Sequence, residues 1–307
     1  MSHLLLFQSQ TIQELAQHAE SIAASNVAIF IHGETGTGKN VLAEHVHRRS
    51  GRNGVFFPID CAAMSRGLLE SELFGHEKGA FTGAIEQKNG YLDLVWGGTL
   101  LLDEIENLDE ELQIKLLNVL ETKQFRRVGG RELVTTEFRL ISATNVDMQQ
   151  RIQSGKFRSD FYYRLKGYTL TIPPLRERRE DIPLFAEFFL QEFCTRYKKN
   201  LSFSQEALSG LTNYDWPGNI RELKMLMESV VVTTAGRRIE IEHLPLEVQH
   251  GALLTTAEKQ QWTAETLLNA YIKRILKMTG NNKAQAAKLL GWSPNKLKRH
   301  LLKMGYE

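Results

Sequence analysis

An apolar run, Ala28-Ile29-Phe30-Ile31, ends in His32-Gly33-Glu34-Thr35-Gly36-Thr37-Gly38-Lys39-Asn40, and this turn opens directly into Val41-Leu42-Ala43-Glu44-His45-Val46. The succession predicts a strand, a glycine-rich loop and a helix, which is the context a phosphate-binding loop requires. Gly33, Gly36 and Gly38 let the backbone take positive φ and bring N–H groups close to an anion. Lys39 supplies a point charge for β- and γ-phosphates, and the helix that starts near Asn40 adds its positive dipole end. Residues Gly33, Glu34, Thr35, Gly36, Thr37, Gly38, Lys39, Asn40 and Val41 are therefore the candidate nucleotide site. Position 40 departs from the general pattern: Asn stands where a Ser or Thr hydroxyl usually ligates Mg²⁺.

Downstream, Val55-Phe56-Phe57-Pro58-Ile59 is a second short strand, so the first unit is βαβ and the sheet is parallel. Gly97-Gly98-Thr99-Leu100-Leu101-Leu102-Asp103-Glu104 is a buried strand ending in two carboxylates. Alternation along a strand would point Asp103 and Glu104 differently, Asp103 to hold Mg²⁺ and Glu104 to polarise an attacking water. A further strand, Phe138 to Asn145, places Thr144 and Asn145 at the carboxyl edge, where parallel sheets put ligands. Arg158 and Arg164 follow, and Pro173-Pro174-Leu175-Arg176-Glu177-Arg178 closes the α/β core, taken as residues 1–175.

Residues 176–240 read as a helical subdomain, with helices at Asp181–Tyr197 and Gln205–Asn213 and a third entered through Asp215-Trp216-Pro217-Gly218-Asn219-Ile220-Arg221. There Arg221 fits a surface ion pair and a site residue equally well. Residues 241–263 read as a linker. Charge separates the remainder: residues 264–307 hold nine Lys/Arg against two acids, a net +7, while the chain as a whole carries +2. A basic tail on a mildly acidic body favours a polyanion-binding module. Within it the pattern is helix, turn, helix: Gly291 ends one helix, and Ser293 caps the next with Pro294 in its first turn. Asn295, Lys296, Arg299, His300 and Lys303 recur on its polar face as a candidate groove-reading surface for double-stranded DNA.

Hydrophobic content of 42% and charged content of 24% are ordinary for a globular protein. No apolar run reaches membrane-spanning length, the N-terminus lacks a signal-peptide core, and two cysteines form no disulfide or metal pattern. A cytoplasmic protein without a membrane partner is expected. Gly79-Ala80-Phe81-Thr82-Gly83-Ala84 is a glycine-bracketed loop. Composition alone makes it a surface turn whose Phe81 tucks back into the core.

From about Ser9 to Glu307 the chain resembles the bacterial enhancer-binding proteins, AAA+ ATPases that activate sigma-54 RNA polymerase. The most specific match is Gly79-Ala80-Phe81-Thr82-Gly83-Ala84, the loop that touches sigma-54 in that family. The resemblance implies an α/β AAA+ core with a parallel sheet, an all-α lid and a C-terminal all-α helix-turn-helix domain. It implies ATP and Mg²⁺ as cofactors: Lys39 and the loop glycines on phosphates, Asp103 on Mg²⁺, and Glu104 on water. Thr144 and Asn145 match γ-phosphate sensors, Arg158 and Arg164 match fingers donated to a neighbouring subunit, and Arg221 matches a lid sensor. A homo-oligomeric ring, a hexamer, is implied, as is binding to DNA upstream of promoters. The resemblance overturns the core reading of Phe81 and the even balance on Arg221.

Three departures accompany it. Asn40 stands where the family commonly has Glu. Asp60 stands where many relatives have an Asn partner of the water-activating Glu, which bears on how hydrolysis is gated. The chain also matches the subgroup without an N-terminal regulatory domain, so control is expected from a separate protein, a paired homologue or expression level. The rival reading, a AAA+ remodeller of DNA or protein complexes unconnected to sigma-54, has no reason to carry Gly79–Ala84. A passive DNA-binding regulator with a degenerate ATPase is opposed by intact Lys39, Asp103, Glu104, Arg158 and Arg164.

Overall fold

The computed structural model describes residues 8–249, 257 and 261–306. The chain divides into two compact units, one running to Phe185 and including Trp216–Lys224, the other formed by Ala186–Asp215 and the residues from Met225 onward.

The first unit contains, in chain order, α1 (Gln10–Ala23), β1 (Ile29–His32), α2 (Lys39–Arg49), β2 (Phe56–Asp60), α3 (Arg66–Phe74), α4 (Tyr91–Leu94), β3 (Thr99–Asp103), α5 (Glu110–Thr122), β4 (Gln124–Phe125), β5 (Val134–Thr135), β6 (Arg139–Thr144), α6 (Met148–Gln153), α7 (Ser159–Leu165) and β7 (Tyr168–Thr171). Five strands form a parallel sheet in the order β2-β3-β6-β1-β7, while β4 and β5 pair separately as an antiparallel ribbon. Helices cover both faces, so the central strands are continuous apolar runs rather than alternating ones. Side chains of one strand still divide between two cores. Phe30, Leu100, Leu102 and Leu140 pack on one side with residues of α3, α5 and α7. Ile29, Ile31, Leu101 and Ile141 pack on the other with α1 and α2.

Both ends of α1 are fastened by distant residues. At its start the carboxylate of Asp181 accepts from the Ser9 backbone N–H at 2.7 Å and from the Ser9 hydroxyl at 3.0 Å. At its end the guanidinium of Arg139, only 1% exposed, donates to the carbonyls of Ile22 and Ala23. These orphan carbonyls of the last turn need a donor, and a buried arginine needs acceptors.

Two helices, α8 (Ile182–Tyr197) and α10 (Asn219–Thr233), cross the division between the units; α9 (Gln205–Asn213) lies between them in sequence and within the second unit. Helix dominates this region as expected, with one addition: β8 (Ser202–Phe203) and β9 (Arg238–Ile239) make a short parallel pair. A 3-10 turn at Ile241–His243 and a helical stretch from Leu246 to Gln249 follow. The C-terminal helices are α11 (Ala264–Met278), α12 (Lys283–Leu289) and α13 (Pro294–Lys303). Ile272, Ile275, Leu276, Ala286, Ala287, Leu297 and Leu301 form their common core. The Ser293 hydroxyl accepts from the Lys296 N–H and caps α13. Among the described residues, no helix is long and apolar enough to cross a membrane.

Candidate functional site

The carboxyl ends of β1, β3 and β6 lie side by side, with His32 opposite Thr144 and Asp60 opposite Asp103 in the ladders. The phosphate loop, the carboxylate pair and the Thr144–Asn145 pair therefore share one edge of the sheet, as the strand pattern predicts. The Lys39 ammonium donates to the carbonyls of Gly33 at 2.9 Å and Glu34 at 3.3 Å. Burial lowers its pKa, opposed by the charges of Asp103, Glu106 and Glu104 and assisted by the positive charge of Arg221. Arg221 thus stands within electrostatic reach of Lys39, on the first turn of α10 in the same unit.

Asp103 ends β3 with its pKa raised, chiefly by burial. The nearby Asn40 side chain favours the charged carboxylate and opposes that rise, so the residue that lacks a hydroxyl still acts on the metal-candidate carboxylate. Glu104 corrects the alternation argument. Its backbone sits at φ 54°, ψ 47°, so it is off the strand, and a left-handed turn rather than the β pleat separates it from Asp103. Such a conformation is uncommon for a non-glycine residue and marks local strain at a functional edge. Burial raises the Glu104 pKa, and the charges of Asp60 and Asp103 add to the rise.

Thr144 and Asn145 diverge. The Asn145 amide donates to the Thr35 hydroxyl at 2.8 Å, on the phosphate loop. The Thr144 hydroxyl, fully buried, donates to the Glu106 carboxylate at 2.6 Å instead. Arg158 and Arg164 are not brought to the loop of their own chain. Arg158 stands at the N-terminal boundary of α7 and bonds Asp160 at 2.7 Å and Glu110 at 3.4 Å. Arg164 donates to the Leu120 carbonyl and borders a cavity of about 340 Å³ with Ala28, Phe138 and Gly167, at the amino ends of the strands.

Sequence reading passed over a second layer around the loop. Arg176 grips the Glu34 carboxylate through both guanidinium nitrogens, at 2.9 and 2.7 Å, and holds its pKa below the ordinary range. Arg178 donates to the Thr37 carbonyl at 2.9 Å. Both arginines lie in the stretch whose prolines and charge mark only the end of the core in sequence, and their pairing across more than a hundred residues leaves no local signal.

The Gly79–Ala84 loop is closed on itself, Gly79 N–H to the Ala84 carbonyl at 2.8 Å and Ala84 N–H to the Phe81 carbonyl at 3.1 Å. Phe81 is 47% exposed, so the expectation from composition that it returns to the core is corrected. Its ring stands edge-on to that of His76, at 5.0 Å between centroids. On α13, Asn295, Lys296, Arg299 and Lys303 are exposed together with Lys298, which the sequence reading omitted. The Lys296 ammonium lies 4.3 Å from the Trp292 ring centre. His300 is committed within the domain, its Nε2 2.7 Å from the Asn269 side-chain oxygen and its ring edge-on to Trp292.

Residues 5–171 match the sigma-54 interaction domain family. The chain belongs to that family. Residues 176–261 match the AAA+ ATPase lid domain, and residues 269–304 match the bacterial regulatory proteins of the Fis family. Among curated proteins, the chain is 40% identical over 285 residues to the transcriptional regulatory protein ZraR of Escherichia coli K12, covering 92% of this chain and 65% of ZraR. It is 39% identical over 313 residues to the regulatory protein AtoC of the same organism, covering 99% of this chain and 68% of AtoC. The chain thus spans about two thirds of the length of these family members. Among solved structures, NtrX from Brucella abortus in complex with ATP aligns with a TM-score of 0.72 at 32% identity, over 98% of this chain and 69% of that one.

Proposed function

We propose that this protein is an ATP-hydrolysing transcription activator that binds DNA upstream of promoters and remodels sigma-54 RNA polymerase. The observation that carries the reading is the coexistence, in one unit, of a phosphate loop with a buried lysine and its carboxylates and an exposed aromatic loop that no nucleotide chemistry requires. The Gly33–Val41 loop with Lys39 takes the phosphates of ATP, and Arg221 adds a second positive charge beside Lys39. Asp103 and Asn40 fit Mg²⁺, which takes few protein ligands and completes its shell with phosphate and water; when bound it would neutralise phosphate charge. Glu104, with a carboxyl made more basic by burial and by Asp60, polarises the attacking water. Asn145 reports on the loop through Thr35.

Arg158 and Arg164 bond Asp160, Glu110 and the Leu120 carbonyl rather than their own loop, which supports donation to a neighbouring site in a homo-oligomeric ring, a hexamer. Arginine fingers contribute on the order of 10³–10⁵ in rate. Arg158→Ala and Arg164→Ala should therefore be nearly inactive while binding ATP, and wild-type specific activity should rise with protein concentration; concentration-independent activity across the assembly range would refute a shared site. The exposed Phe81 and Thr82 supply the apolar area and the hydroxyl that a loop gripping sigma-54 needs. The name of ZraR as a transcriptional regulator and the ATP complex of NtrX support the same reading. For DNA, Asn295, Lys296, Arg299 and Lys303 are the contact candidates, and His300 orients the helix. About three phosphate contacts per subunit of a dimer give a log K against log salt slope of about −5, measurable by titration at several salt concentrations.

A further inference from the structure

Three consecutive residues at the start of α10 contact three consecutive residues of the phosphate loop. Asn219 donates its side-chain amide to the Glu34 carboxylate at 3.1 Å and to the Thr35 carbonyl at 3.0 Å. The backbone N–H of Ile220 donates to the Gly36 carbonyl at 3.0 Å. The Cβ of Arg221 packs so near Gly36 that a Cβ built there would lie 3.1 Å away. Asn219 is fully buried, and its side-chain oxygen accepts from the Leu175 N–H at 2.8 Å, beside Arg176.

We propose that Asn219 is a positioning residue of the nucleotide site, tying the phosphate loop to the first turn of α10 and so fixing where Arg221 stands relative to Lys39. The inference rests on the nucleotide reading given above. A residue serving only as a helix cap would turn its oxygen to the N–H groups of its own first turn. Asn219 turns its oxygen to Leu175 and both amide hydrogens to the loop, so its polar capacity is spent outside α10. The chemistry also selects the side chain. The position faces one donor, one carboxylate and one carbonyl, and a short amide offers one acceptor and two donors. Its φ of +53° adds a second restriction, since Asn is among the few side chains that enter the left-handed region readily. Aspartate would keep the backbone and the bond from Leu175 but lose both donors and set a second carboxylate against Glu34.

The experiment uses the full chain, with ATP binding followed by a fluorescent ATP analogue, turnover by phosphate release, and folding by thermal melting. Asn219→Asp should weaken ATP binding about tenfold or more, the scale of losing hydrogen bonds to a charged group, and lower kcat as Arg221 loses its register. Asn219→Gly, which keeps the left-handed backbone, should also weaken ATP binding, but by less, because it lacks the added repulsion. Adding Glu34→Gln to Asn219→Asp should recover several-fold in affinity, although Glu34→Gln alone does not improve it. Asn219→Asp binding and turning over ATP within twofold of wild type would overturn the proposal. So would a loss that tracks melting temperature alone, with no recovery in the double variant. Wild-type protein that binds no ATP would overturn the nucleotide reading as well, which separates the two failures.

Discussion

The phosphate loop and the Gly79–Ala84 loop both use glycines in the left-handed region, yet a Cβ added to each would meet different surroundings. At Gly36, with φ +81°, it would lie 2.4 Å from the Gly218 carbonyl oxygen. At Gly79 and Gly83, with φ +82° and +112°, it would meet nothing within 4 Å. In the first loop glycine provides room for a second segment of backbone; in the second it provides only backbone freedom. The difference separates a loop held at Gly36 by a second segment of backbone, whose task is to hold an anion in one geometry, from a loop free at its bracketing glycines, whose task needs a change of position. Rigidity and exposure are placed within one unit and serve different partners.

The contrast is sharpest at Gly36. Gly36→Ala must break the approach of Gly218 and disturb the Ile220 bond, so it should lower stability by about 3 kcal/mol or more and abolish ATP binding together. A variant that melts normally yet fails to bind ATP would break the link between packing and function drawn here. Gly83→Ala carries only the left-handed penalty, about 1–2 kcal/mol; thermal melting should show a modest shift with ATP affinity unchanged. Phe81→Ala should cost less than about 1 kcal/mol, well below the 3–5 kcal/mol of an aromatic removed from a core. That variant should keep much of its ATPase turnover and lose binding to sigma-54 in the presence of an ATP transition-state mimic. Large destabilisation, or normal sigma-54 binding, would erase the distinction between the two loops.

The smallest effect concerns pH. The Arg176 guanidinium holds the Glu34 carboxyl below its ordinary pKa. A depressed carboxyl contributes stability above its unfolded pKa and loses it as pH falls through the folded value. The melting difference between wild type and Glu34→Gln should therefore be constant near neutrality and shrink in acid. A difference that grows in acid would mean Glu34 is not held by its partners in this way.

Much of the first unit was legible because its signals are local: an apolar run, a glycine spacing, a strand ending in carboxylates. The same locality explains the failures. Glu104 leaves the strand because the chain turns left-handed there, and alternation carries no information about where a strand stops. The strand pattern puts Thr144 and Asn145 on the shared edge, but the buried Glu106 that draws the Thr144 hydroxyl inward lies 38 residues away in sequence. Arg176, Arg178 and Asn219 act on the phosphate loop from more than a hundred residues downstream, and a single sequence holds no record of such pairings. Spacing alone puts His300 on the polar face, while Asn269 on another helix decides its direction.

The fastening of α1 has a consequence for the order in which the protein is made. The helix leaves the ribosome before either of its fasteners, since the donor that caps its last turn is Arg139 and the acceptor that holds its first is Asp181. Until Arg139 has emerged α1 has neither end secured, and until Asp181 has emerged it has only one, while a lone helix of 14 residues is marginal in water. Synthesis therefore cannot complete this part of the molecule piece by piece. Nascent chains arrested before residue 181 should leave α1 open to proteases, and chains released beyond it should protect it, so that the unit closes late and at once.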